Sequence, residues 1–168
     1  MLIKKIVSGG QTGADRGGLD AAIQLGFPHG GWCPKGRVAE DGVIPEHYRL
    51  KETSTSDYLE RTEANVVDSD ATLVFTAGPA KKGSLRTIKF AIQHGRPWHH
   101  VDLLQTTSEM AVRDILAWLD GRGEGDLDRN MPSIGILNIA GNRESSRPRM
   151  QDFVCTVMLS VLEAQRTG

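Results

Sequence analysis

Three loops of one chemistry recur along this chain, each with the residues to hold an anion. The first is Gly9-Gly10-Gln11-Thr12-Gly13-Ala14-Asp15. Glycines let a backbone approach a ligand with no Cβ in the way, and a helix that follows offers free N–H groups and the positive end of its dipole. The second is Gly78-Pro79-Ala80-Lys81-Lys82-Gly83-Ser84-Leu85-Arg86-Thr87, with Lys81, Lys82 and Arg86 beside a helix start. Cations oppose the dipole there unless an anion joins them. The third is Gly141-Asn142-Arg143-Glu144-Ser145-Ser146-Arg147-Pro148-Arg149. Taken singly, each loop also fits a ligand-free turn. Together they predict a pocket for a small anionic, phosphorylated molecule. Neither GxxxxGK[ST] nor a full GxGxxG is present, so this is neither a P-loop nor the standard dinucleotide fingerprint. Asp15 reads as a helix cap, or as a contact to a sugar hydroxyl.

Ligands of a parallel sheet sit outside the carboxyl ends of its strands, so these loops need strands before them and helices behind. The chain supplies that alternation. Strands are expected at Ile3–Ser8, Ala71–Thr76, Pro97–Val101 and Ile134–Ile139. Helices are expected from Ala14, with Leu19, Ala22 and Ile23 on one face, and over Ser56–Val67, Ser84–Gln93, Ser108–Leu119 and Arg147–Ala164. In the last of these, Met150, Val154, Val157, Met158 and Val161 form the apolar face. The pattern is that of an α/β protein with helices on both sides of a parallel sheet.

The chain has 168 residues, a length that suits one domain, 1–168. At 39% hydrophobic and 24% charged residues, it has the composition of a globular protein. No apolar run suits a membrane span, and MLIKKIV lacks the apolar core of a secretory signal, so a cytoplasmic location is expected. A formal charge of -1 argues against nucleic acid held by bulk charge. Cys33 and Cys155 read as free thiols, and the five histidines show no metal-ligand spacing with them, so no structural zinc is expected. His99 and His100 fall on one strand, facing opposite ways. Arg122–Asn130 reads as a solvated linker.

Gly26 to Leu50 shows no clear periodicity apart from one short strand expected near Tyr48–Leu50. A stretch of about 25 residues without regular structure suggests a lid or binding loop. Its Trp32, Lys35 and Arg37 could stack on a ligand and neutralise it. Glu40 and Asp41 read as exposed carboxylates, with an acid/base pair as the alternative.

The segments SGGQTGADRGGLDAA, WCPKGRVAEDGVIPEHYRLKET and LVFTAGPAKKGSLRT resemble the molybdenum cofactor carrier protein family over nearly the whole chain. That resemblance implies a Rossmann-like three-layer sandwich with a mainly parallel sheet. It also implies circular permutation relative to the lysine-decarboxylase-like phosphoribohydrolases of the LONELY GUY group, which release base from a nucleotide. Their first strand and GSS-like loop correspond here to Ile134–Ile139 and Gly141–Ser146. Tyr58-Leu59-Glu60-Arg61-Thr62 is similar to their Arg-Lys helix segment, with Arg61 in the arginine's place and Thr62 in the lysine's. Their PGGxGTxxE glutamate corresponds to Thr87, whose hydroxyl cannot do a carboxylate's acid/base work near neutral pH.

The resemblance thus implies a non-catalytic carrier that binds molybdenum cofactor (molybdopterin) or its precursor and serves molybdoenzymes or cofactor-biosynthesis proteins. Gly9, Gly10, Gln11, Thr12 and Gly13 would receive the phosphate, with Arg61, Lys82 and Ser84 as charged or hydroxyl partners. Trp32 and Arg37 would cover the rings. Asp15, Gly78, Gly83, Asn142 and Arg143 complete the candidate set. The alternatives are a nucleoside monophosphate-processing enzyme, with Asp15, Glu40 or Asp41 supplying the missing carboxylate, and a nucleotide sensor. Homo-oligomers are expected, since the related hydrolases form dimers with shared sites.

Overall fold

A computed structural model describes residues 3–121 and 133–167 of the chain. Its centre is a five-stranded, wholly parallel sheet built from β1 (Lys5–Val7), β2 (His29–Gly30), β7 (Ala71–Thr76), β8 (Trp98–Asp102) and β9 (Ile136–Gly141). The spatial order is β2-β1-β9-β7-β8. Counted from β9, with β1 and β2 following, the same sheet reads 3-2-1-4-5. That is the order of a Rossmann sheet started at a different strand, so the strand order itself displays the circular permutation.

The central strands are apolar because both of their faces are covered. All six residues of β7 (ATLVFT) are buried, as expected of a parallel strand between two helical layers. One layer contains α1 (Ala14–Gln24), α4 (Ser108–Leu119) and α5 (Met150–Thr167), and the other contains α2 (Tyr58–Val67) and α3 (Lys82–Gln93). The core runs through Ile6, Leu73, Phe75, Leu137 and Ile139 to Val154, Val157, Met158 and Val161 of α5. Helix α1 lies close against both β9 and α5. A Cβ on Gly18 would stand 2.7 Å from the Ile139 side chain, and one on Gly17 would stand 2.7 Å from the Gln151 carbonyl. Two of the glycines in the opening motif therefore serve packing.

The expected strands and helices of this frame are present, with ends shifted by a few residues. Residues 26–50 differ more. They contain β2, β3 (Trp32–Cys33) and the β4–β5 hairpin (Val38–Ala39, Gly42–Val43), while the short strand expected near Tyr48–Leu50 is β6 (Lys51–Glu52), parallel to β3. Strands of two residues are too short to show an alternating pattern. Leu19, Cys33, Ala39, Ile44 and Tyr48 give this excursion a small core of its own. The expected linker Arg122–Asn130 lies outside the described residues. Among those described, no helix is long and apolar enough to cross a membrane.

Candidate functional site

Where β1 and β9 end side by side, a cavity of about 110 Å³ opens beneath α2 and the start of α3. Gly9 and Gln11 from the first loop, Arg61 and Tyr58 from α2, Arg86 from α3 and Arg143 from the third loop bound it. Three elements distant in sequence thus each bring an arginine to one small space.

Arg61 is the deepest of the three. Its Nη1 donates to Asp15 Oδ2 at 2.9 Å, with side-chain exposures of 13% and 6%. The same Asp15 oxygen accepts from the Gln11 backbone N–H at 3.2 Å. Burial pushes the Asp15 carboxyl above its ordinary range, and the Arg61 charge and the Gln11 N–H act in the opposite direction. Asp15 does not cap α1: Gly13 holds the N-cap position with no side-chain hydrogen bond, and Asp15 is drawn to the arginine instead.

Two donors around the cavity are buried without a partner among the described residues, Arg61 Nε and Gln11 Nε2. Buried donors cost free energy until they are hydrogen-bonded, and both of these suit an acceptor such as a phosphate oxygen. Arg61 and Arg143 also flank the Tyr58 ring, at 5.6 and 5.3 Å from its centroid, an arrangement that holds two cations near each other. Thr87 lies in the wall with its hydroxyl donating to the Gly83 carbonyl at 3.1 Å. Asp15 is the one carboxylate lining the cavity among the described residues.

Of the candidate ligand-binding set, Gly9, Gln11, Asp15, Arg61, Gly83 and Arg143 line the cavity, joined by Arg86 and Thr87 of the second loop, and the other members of that set do not. Thr12 donates to Glu40. Gly10 backs onto Leu50 and Ile44, and Gly13 onto the Asn142 carbonyl. Asn142 accepts from the Ala77 N–H, and the Gly78 N–H donates to Asp102. Lys82 is exposed, Ser84 is buried in α3, and neither faces the cavity. Trp32 donates its indole N–H to Asp68 at 2.7 Å. Arg37 spends its guanidinium on the carbonyls of Ile44, Pro45, Tyr48 and Leu50, so it clamps the 44–50 turn. Glu40 and Asp41 also lie away from the cavity, tied to Ser145 and Arg16. Burial acts against ionisation of Glu40, but hydrogen bonds from Ser145 and Thr12 outweigh it and hold that carboxyl below its usual range.

Asn65 and Asn138 line the cavity without having been singled out, and Tyr58 and Thr62 were named only for their place in the α2 segment. Asn138 did carry a signal: it is a polar residue inside the apolar strand ILNIA. It is 2% exposed and donates to Thr72 at 3.3 Å.

His99 stacks on Trp118 with centroids 5.4 Å apart, and His100 Nε2 lies 2.6 Å from the Thr76 hydroxyl. Among the described residues, no group of three or more His, Cys, Asp or Glu could hold a metal ion. Cys33 is fully buried, and burial raises its thiol above the ordinary value.

The fold and the site have a counterpart in a solved structure. A crystal structure described as "Putative molybdenum carrier protein" from Syntrophus aciditrophicus SB is 44% identical, superposes with a TM-score of 0.87, and is matched over 96% of each chain. No curated protein matches. The model of the circularly permutated YpsA SLOG family matches residues 6–162, and this chain, with its Rossmann sheet begun at a different strand, belongs to that family.

Proposed function

We propose that this protein carries a phosphorylated pterin, the molybdenum cofactor or its precursor, with the phosphate seated among Arg61, Arg86 and Arg143. One observation carries the reading: three arginines and two buried, unpartnered donors converge on one small cavity. The likeness to a protein described as a molybdenum carrier supplies the pterin. A volume of about 110 Å³ is well below the roughly 300 Å³ at which pockets begin to enclose a whole small ligand. Only the anionic end enters, and the fused rings lie across the mouth beside Tyr58 and Leu59. Cargo held by its phosphate is shielded there and released intact to a molybdoenzyme or a cofactor-biosynthesis protein.

A second reading rests on Asp15. Its raised carboxyl, beside Arg61 in the cavity, is a candidate acid/base on a bound nucleoside monophosphate. Anaerobic incubation with molybdenum cofactor, rapid gel filtration and assay of oxidised-pterin fluorescence in the protein fraction tests the first reading, with excess AMP as competitor. Retained pterin that AMP does not displace is the expected result. Absence of pterin sinks the carrier, and free adenine released from AMP, abolished by Asp15→Asn, establishes the enzyme.

A further inference from the structure

Beside the arginine cavity the protein binds one of its own carboxylates as though it were a ligand. The β4–β5 hairpin lays Glu40 over the ends of the first and third loops. Glu40 Oε1 accepts from the Thr12 hydroxyl and, at 3.2 Å, from the Ser145 N–H, and Oε2 accepts from the Ser145 hydroxyl at 2.5 Å. Two hydroxyls and a backbone N–H at the carboxyl ends of β1 and β9 form a small anion seat, in the place where open parallel sheets bind ligands.

The seat adjoins the cavity through shared residues. Gln11 lines the cavity, and its Oε1 accepts from the Glu40 N–H at 2.9 Å and from the Thr12 N–H at 3.1 Å. Gln11 is 5% exposed, with Nε2 buried and unpartnered among the described residues. Arg143 lines the cavity two residues before Ser145. The other carboxylates nearby are committed elsewhere. Asp41 pairs with both Arg16 nitrogens at 2.6 and 2.8 Å, and Glu144 accepts from the Arg149 and Gln151 N–H groups at the start of α5. Glu40 is therefore the one carboxylate among the described residues whose partners sit at the mouths of both loops. It stands on an exposed hairpin that the Asp41–Arg16 pair would still anchor if Glu40 let go.

We infer that Glu40 is a built-in competitor for a second anion subsite, and that the natural ligand carries two adjacent anionic groups, one held by the arginines and the other displacing Glu40 from Thr12 and Ser145. A diphosphate is the simplest such chemistry. The inference rests on the reading of the arginine cavity as a phosphate site. Its consequence is selectivity: a single phosphate leaves Glu40 in place, whereas a ligand with two anionic groups must unseat it.

Calorimetric titration of the full chain with inorganic phosphate and with pyrophosphate, before and after Glu40→Gln, tests this. Glu40→Gln is expected to tighten pyrophosphate on the order of tenfold, the scale of a hydrogen bond to a charged group, and to leave phosphate within about twofold. Ser145→Ala in that background should cancel the gain. Equal changes for the two probes in Glu40→Gln overturn the inference, as does a pyrophosphate gain that survives Ser145→Ala in that background. Should phosphate fail to bind the wild type, the cavity reading falls first and this inference with it. Glu40→Ala, read in the same way, covers the case in which the glutamine variant folds poorly.

Discussion

Arg61 fills the space that a side chain on Gly9 would need: its Nη1 stands 1.6 Å from the position of a Cβ on that glycine. Gly9 is not among the glycines with positive φ, so its backbone does not bar alanine, and the conflict is with the Arg61 guanidinium first and, at 2.9 Å, with the Asp15 carboxylate that it pairs with. Gly9→Ala is expected to push Arg61 off Asp15, cost about 1–3 kcal/mol of stability as overpacking does, and weaken phosphate binding. In an Arg61→Ala background the same substitution should cost much less, and denaturant unfolding of the four proteins measures that coupling. Additive effects would show that Gly9 is not there to admit Arg61.

Arg86 and Lys82 separate the cavity from the general charge of the second loop. Arg86 lines the cavity and Lys82 does not. Arg86→Ala should weaken phosphate binding on the order of tenfold to a hundredfold, the value of a hydrogen bond to a charged group, and Lys82→Ala by about twofold or less. Both sites are exposed, so thermal midpoints should move little. A larger loss in Lys82→Ala would put the anion at the helix start instead.

Tyr48 gives the fold an alkaline limit. Its hydroxyl donates to Asp20 at 2.7 Å, and burial, followed by that contact, pushes the phenol well above its ordinary value. A raised value means that the unfolded chain loses this proton first. The stability Tyr48 contributes is therefore complete below about pH 10 and declines as pH rises from there toward the folded value. Tyr48→Phe should be less stable by about 1 kcal/mol at pH 7, yet lose stability less steeply between pH 10 and 12. Parallel curves of unfolding midpoint against pH would contradict this.

The strand order predicts that the permutation is reversible. Helix α5 follows β9 and returns to the amino edge of the sheet, where Arg166 donates to the Leu25 carbonyl near the chain's entry into β2. A chain begun at β9, with the end of α5 joined to β1 by a short Gly/Ser linker and new ends placed between Leu119 and Ile136, keeps every strand neighbour. It should show the wild-type circular dichroism spectrum and phosphate affinity. An unfolded or non-binding permutant would mean that the present connection between α4 and β9 is itself required.

Much of the frame was legible in the sequence because its signals are local. Buried runs such as ATLVFT, the apolar face of α5 and glycines between strand and helix need only near neighbours to be read, and they set a parallel α/β sheet with its ligand loops at one edge. The clustering of cations in those loops was legible too, and it is what motivates the anionic ligand proposed above. Tertiary structure decided which residues use that chemistry. Arg37 and Trp32 have the composition of a ligand cover, but the carbonyls of the 44–50 turn and the Asp68 carboxylate engage them. Glu40 is exposed, as a loop carboxylate should be, but its partners Thr12 and Ser145 lie 28 and 105 residues away in the chain. Asp15 was read as a cap and is a buried partner of Arg61, 46 residues on. Periodicity and propensity act over a few residues, whereas a salt bridge or an anion seat forms between whatever groups packing brings within about 3 Å, and no pattern along the chain encodes that meeting.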